Sequence, residues 1–297
     1  MSNICGEAIP EQKPRSGWLA ELELDYAVRR DKTCLVRKKQ RGPLTLQRPF
    51  YPEGDICHSY ILHPPGGVVG GDTLEIKLQV AEHSHCLITT PGATKFYKSK
   101  SDLVSHQTQK IRVAADAVVE WLPQQNIFFP GAQSVLKTEI DIAPRGRFIG
   151  WEVHCFGRPA NSEVFDRGSV TSSTEIRLDG ELRLVEQLCT QDSALIMSPS
   201  GLRGMPMQGS LIAAPCSQAE RDHLEHILHR YQHLDSIGLT LVDDILVLRV
   251  LGTQIEPILD IFTQISQNNP DSFDFCIKQR DINIVLLDSS AATITSD

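Results

Sequence analysis

The sequence predicts a mainly β protein built of many short strands, with two α-helices in its C-terminal third. Three observations predict it. Apolar and polar residues alternate with period two in several segments of the first two-thirds. Turn residues separate these segments at the spacing of sandwiches and barrels, without the helical stretches of an α/β alternation. The apolar period then lengthens to that of a helix at two places beyond residue 217.

Taken in order, residues 1–16 hold Pro10 and Pro14 and little that can be buried, and are expected to form a loose N-terminal arm. From there Trp18, Ala20, Leu22, Leu24, Tyr26 and Val28 fall on one face, with Glu21, Glu23 and Asp25 on the other, as in a half-buried strand. Arg29-Arg30-Asp31-Lys32 turns into a second strand at Thr33-Cys34-Leu35-Val36. The basic run Arg37-Lys38-Lys39-Gln40-Arg41 reads as a solvated strand edge. Further strands are expected at 59–62, 73–80, 86–90, 109–113 and 117–122. Leu136, Thr138, Ile140 and Ile142 then alternate with Lys137, Glu139 and Asp141, and another strand follows at 148–156.

The first helix is expected over Gln218 to Leu234, with Leu224, Ile227, Leu228, Tyr231 and Leu234 at helical spacing and Ser217 as N-cap. Segments 237–242 and 245–251 flank Asp243-Asp244 as a hairpin. A second helix carries Ile255, Ile258, Leu259, Phe262 and Ile265, with Pro257 in its first turn, where a missing N–H costs nothing. Residues 282–287 read as a last strand and 289–297 as a frayed tail, so one β-rich domain is expected over 17–288. No internal sequence repeat is visible.

The stretch Leu62-His63-Pro64-Pro65-Gly66-Gly67-Val68-Val69-Gly70-Gly71-Asp72 lies between two strand-like runs. Its glycines let the backbone approach a neighbour closely. It matches neither phosphate-loop pattern, and no helix-forming run follows it.

A net charge of −8 and a pI near 5.7 argue against a sequence-independent grip on nucleic acid or an anionic membrane. Eight cysteines are scattered without a C-x-x-C pair or a secretory signal, which implies reduced thiols, a cytoplasmic protein and no structural zinc. No apolar run approaches the ~18 residues that span a bilayer.

Ser198-Pro199-Ser200-Gly201 lacks the G-x-S-x-G frame of a nucleophile elbow. Glu120 and Glu152, beside turns, have the chemistry for acid–base work if the fold brings them together. Asp222, His226, His229 and His233 are spaced to form one helical stripe, able in principle to hold a borderline metal ion and equally readable as a solvated polar face. His83 and His85 share a strand face.

Five blocks, in this order, closely resemble the urease accessory protein UreD (UreH) family. They are Arg48-Pro49-Phe50-Tyr51-Pro52-Glu53-Gly54, then His63 to Asp72, then Thr90-Pro91-Gly92-Ala93-Thr94-Lys95, then Trp121-Leu122-Pro123-Gln124 with Phe129-Pro130-Gly131-Ala132, then Gly157-Arg158-Pro159-Ala160. The resemblance runs from about Trp18 to Pro215 and weakens beyond.

The resemblance implies stacked strands in a helical β architecture with two helices, and a non-enzymatic scaffold. It also implies partnership with UreF, the GTPase UreG and urease apoenzyme, and nickel in transit with no tightly bound cofactor. An enzyme of unknown substrate on a β scaffold is the alternative. Polar residues in or near the matching blocks become candidates for a nickel path, namely His63, Asp72, Glu120 and Glu152, with Lys95 and Arg158 as further path or interface groups. Each also reads as a turn cap or a strand-end bridge. Gln125 stands where the family usually has Glu, so an acidic role there is not carried over. The stripe Asp222, His226, His229 and His233 lies outside the matching blocks and inherits nothing.

Overall fold

The computed structural model describes residues 17–100, 103–231 and 236–267. The expected arm, the strand at 282–287 and the tail lie outside these residues. The chain opens with a hairpin, β1 (Leu19–Arg29) and β2 (Lys32–Arg41), then β3 (Thr45–Leu46) and β4 (Cys57–Leu62). It then coils. β5 (Thr73–Val80), β6 (His85–Thr89) and β7 (Thr94–Phe96) form one circuit, and β8 (Ser105–Val113), β9 (Val118–Leu122) and β10 (Asn126–Phe128) the next. β11 (Gln133–Ile142) and the long β12 (Arg147–Arg158) form the third. After β13 (Glu163–Val164) come β14 (Ser169–Leu178), β15 (Glu181–Gln191), the one-turn helix α1 (Ala194–Met197) and β16 (Met207–Ala214). α2 (Gln218–Leu228), β17 (Ile237–Val242), β18 (Ile245–Gly252) and α3 (Ile255–Gln267) complete it.

The result is a β-solenoid of about four turns. One sheet has the order β15-β14-β11-β8-β5-β1-β2, and β14, β11, β8, β5 and β1 run parallel. The second has β17-β18-β16-β12-β9-β6-β4-β3 along its main path. Leu22, Leu24, Leu78, Ile111 and Ile140 from the first and Ile88, Trp121 and Phe148 from the second fill the gap between them. On its short third side, Phe96, Phe128 and Phe156 sit side by side in β7, β10 and β12. Their rings stack at 4.9 and 5.5 Å.

The coils repeat even though the sequence shows no repeat. The turns joining the two sheets in successive circuits close with Ser84 N–H to Ala81 O, Ala117 N–H to Ala114 O and Gly146 N–H to Ala143 O. Each places its third residue, His83, Asp116 or Arg145, at positive φ. Arg145 then donates to both Asp116 oxygens at 2.7 Å, tying one turn to the next. Three different residue types fill the equivalent position because backbone shape is what recurs, so sequence self-comparison misses it.

The period-two reading of β1 holds for Ala20, Leu22, Leu24 and Tyr26, all buried, whereas Trp18 precedes the strand and is 68% exposed. The basic run lies on β2, the edge of the first sheet. There Arg37 pairs with Glu23 and Asp25, and Lys39 with Glu23, across the β1–β2 ladder.

α2 begins with the expected cap. Ser217 accepts from Glu220 N–H while the Glu220 side chain accepts from Ser217 N–H, the reciprocal pair of a capping box. The helix ends at Leu228, before the expected Leu234, and a 3-10 turn covers His229–Tyr231. α2 and α3 pack Leu224, Ile227, Ile258 and Phe262 onto the outer face of the second sheet, against Trp151, Val153, Leu211 and Leu248. That sheet is therefore covered on both faces at its C-terminal end. No helix among the described residues is long and apolar enough to cross a membrane.

Candidate functional site

The glycine-rich stretch forms a rung on the third side. Val68 N–H donates to Lys95 O and Val68 O accepts from Tyr97 N–H, so the loop caps the phenylalanine column above Phe96. A Cβ on Gly67 would lie 2.3 Å from the Tyr97 ring, and one on Gly70 2.5 Å from Leu103 O. Close backbone approach is thus the reason for these glycines. Asp72, 8% exposed, holds the loop closed, its two carboxylate oxygens accepting from Trp18 N–H and Val69 N–H at 2.9 Å. His63 is half-buried nearby, and burial lowers its pKa against the opposing pull of Asp72.

Lys95 is exposed on β7. Arg158 forks onto the Glu163 carboxylate across β12 and β13, and its guanidinium lies 4.7 Å from the centre of the Phe129 ring. Tyr97 O–H donates to Gly66 O and its ring lies 4.8 Å from that of Phe129, so the blocks holding Gly66, Phe129 and Arg158 meet around Tyr97, two residues past the third block, on one corner of the solenoid. On α2, Asp222 accepts from Gln218 and Arg221. The His226 and His229 rings are 6.0 Å apart on the exposed face, and His233 lies outside the described residues.

Glu120 and Glu152 do not meet. Glu120 lies beside Ile149, whose side chain faces the helices, whereas Glu152 is three residues further along β12 and faces the gap between the sheets. Glu120 is 2% exposed and sits 2.7 Å from His85 Nε2.

Around Glu152 the inter-sheet core turns polar. Strand register places Gln109, Thr138, Thr174 and Glu186 side by side across β8, β11, β14 and β15. Nearer the chain's start the same row continues as Ile76 and Leu22, both apolar. On the facing sheet Glu152, Ser210, Arg249 and Gly238 form a matching row across β12, β16, β18 and β17. Bonds cross between the rows. Thr138 Oγ1 donates to Glu152 at 2.6 Å, Ser210 Oγ to Glu186 at 3.3 Å, and Arg249 Nε to Glu186 at 2.6 Å.

All residues of these polar rows but Gln109 line a cavity of about 650 Å³ that also takes in Trp121, His154 and Gln208. Burial pushes the Glu152 carboxyl up to about 6, the Thr138 hydroxyl opposes that, and the charge of Glu186 adds to it. Burial pulls His154 down to about 4, so its imidazole is neutral. His154 Nε2 is 3.8 Å from Glu152. His154 Nδ1, Trp121 Nε1 and Gln109 Oε1 are buried with no hydrogen-bond partner among the described residues, the signature of a space for water or a polar guest. Among those residues no three His, Cys, Asp or Glu side chains converge as a metal-ligand set. The cavity therefore offers a metal ion single and paired donors, never a closed cage.

Of the candidate site residues named from sequence, only Glu152 lines this cavity among the described residues. Thr138 carried a signal, a polar residue on the apolar face of its strand. β14, β15 and β16 were not expected, because Ser169–Leu178 is rich in Ser and Thr and Glu181–Gln191 alternates weakly. Glu186 and Ser210 were missed with them.

The family model described as "UreD urease accessory protein" matches residues 19–270. Three of the relatives that bear the name urease accessory protein UreD show the extent of the likeness. One from Vibrio parahaemolyticus is 47% identical over 248 residues, 82% of this chain and 88% of the relative. One from Escherichia coli is 46% identical over 256 residues, and one from Aliivibrio fischeri strain MJ11 45% over 262, each covering 85% of this chain and 91% of the relative.

Proposed function

Because this chain belongs to the UreD urease accessory protein family, we propose that it acts in the cytoplasm as a urease maturation scaffold, with no enzymatic activity of its own. In this reading it couples urease apoenzyme to UreF and UreG and passes nickel through the gap between its two sheets. The observation that carries the reading is the paired polar rows around Glu152. A protein that hands a metal on must hold it weakly, with carboxylate, imidazole and water, because a thiolate cage would trap it. Glu152 and His154 supply the first two, and Cys189 is the one cysteine lining the cavity among the described residues.

The buried donors have separate tasks. Glu152 supplies charge where desolvation already disfavours its ionised form, so an arriving cation gains what the proton loses. Neutral His154 offers a lone pair without repelling a cation. Thr138 fixes the carboxylate from the opposite sheet.

The test is activation of urease apoenzyme in cells that co-express UreF and UreG, with and without this chain, scoring nickel content and co-purification. Dependence on the chain, and loss of nickel in Glu152→Ala without loss of the complex, are expected. Urease loaded equally well without the chain would overturn the scaffold reading, and full loading with Glu152→Ala would overturn the route.

A further inference from the structure

We propose that the Glu186–Arg249 ion pair is a cation-exchange gate at the rim of the inter-sheet cavity, opened when an entering divalent ion replaces the guanidinium on the Glu186 carboxylate. The inference rests on the nickel reading above and adds to it an entry point and a selection rule.

The two residues occupy equivalent places on facing sheets. β15 is the edge strand of the first sheet, and β18 is one strand in from the edge of the second. Thr138 with Glu152 is the inner bonded pair across the polar rows, and Glu186 with Arg249 the outer one. The Arg249 side chain is 43% exposed, those of Glu186 and Glu152 are alike at 18% and 17%, and all three line the cavity. Arg249 thus stands between solvent and the two carboxylates, behind which the buried, unpartnered His154 Nδ1 adds a donor that suits a cation.

A guanidinium stays charged at any physiological pH, so this contact does not open by titration. It opens by competition. The bond runs through Nε, and among the described residues Ser210 is the other group that donates to Glu186. The outer end of the guanidinium can therefore swing into water at small cost. A divalent ion carries twice the charge of arginine to the same carboxylate and attracts it more strongly at equal distance. Monovalent ions and neutral solutes lack that advantage. With Arg249 displaced, Glu186 loses its ion pair and shares the cavity with Glu152, leaving Arg203 as the one cationic side chain among the described lining residues, which favours retention of the entering ion until it moves inward.

The experiment is equilibrium dialysis of the full-length protein against Ni²⁺ alone, with circular dichroism to verify folding. Arg249→Gln is expected to bind Ni²⁺ about tenfold more tightly than wild type, since the competing cation is gone. Glu186→Gln is expected to abolish that gain in the double variant. Should Arg249→Gln fail to fold, Arg249→Lys, which keeps the charge and lacks Nε, is expected to gain about two- to threefold. Unchanged affinity in a folded Arg249 variant, with weaker binding in Glu152→Gln, overturns the gate and leaves the nickel reading standing. Unchanged affinity in Glu152→Gln and Glu186→Gln alike overturns the nickel reading and the gate with it.

Discussion

The hydroxyl of Thr138 donates to Oε1 of Glu152 at 2.6 Å and is the innermost bond between the facing polar rows. It joins a strand of one sheet to a strand of the other at the point where an apolar core gives way to a polar cavity. Burial there favours the neutral carboxyl, so the proposed metal role of Glu152 and the stability of the fold oppose each other.

Glu152→Gln is expected to stabilise the fold near pH 7.5. Native Glu152 titrates at about 6 against an ordinary 4.5. The unfolded chain therefore releases its proton first, and stability falls as pH rises from 4.5 through 6. The penalty is complete above 6, at about 2 kcal/mol. Urea denaturation at pH 7.5 and pH 4 checks this, with the gain expected only at the higher pH.

His154 gives the opposite dependence. Its folded pKa of about 4 lies below the ordinary 6.5, so the unfolded chain takes up a proton that the native state refuses. Stability is full above 6.5 and declines as pH falls toward 4, by about 3 kcal/mol. His154→Gln, measured over the same range, is expected to flatten that acid limb.

Asp72→Ala is expected to cost about 2 kcal/mol, because it strands the amides of Trp18 and Val69, whose acceptor it is. The thermal midpoint should fall by several degrees. Asp72→Asn, which keeps one acceptor oxygen, should lose less.

Gly70→Ala tests the close approach of the glycine loop. The new methyl carbon would meet Leu103 O at 2.5 Å and Ser99 Oγ at 2.2 Å. A drop in stability of about 2 kcal/mol is expected from the backbone shift required. Gly66→Ala meets no atom within 4 Å and serves as a control for the positive φ at that position alone.

Ser217→Ala removes half of the capping box on α2 and should cost about 1 kcal/mol by chemical denaturation. The polar rows lie on the other face of the second sheet, so nickel uptake should be unaffected.

Local elements are the part of this fold that can be read along the chain. The alternation from Ala20 to Tyr26 specifies a strand with one buried face, Ser217 with Glu220 specifies a helix start, and Asp243-Asp244 specifies a hairpin turn. Each of these depends on neighbours a few residues away, through backbone geometry and short-range hydrogen bonds. The family blocks include Gly66, Phe129 and Arg158, which the fold gathers around Tyr97 on one corner. The stacking of the coils, by contrast, turns Glu120 toward the helices and Glu152 toward the gap, and pairs Glu186 with Arg249, 63 residues away. Stacking order and register set those contacts. A parallel coil aligns residues that share no local pattern, and a polar side chain on an inward face reads from sequence as a break in a strand until the opposite sheet supplies its partner.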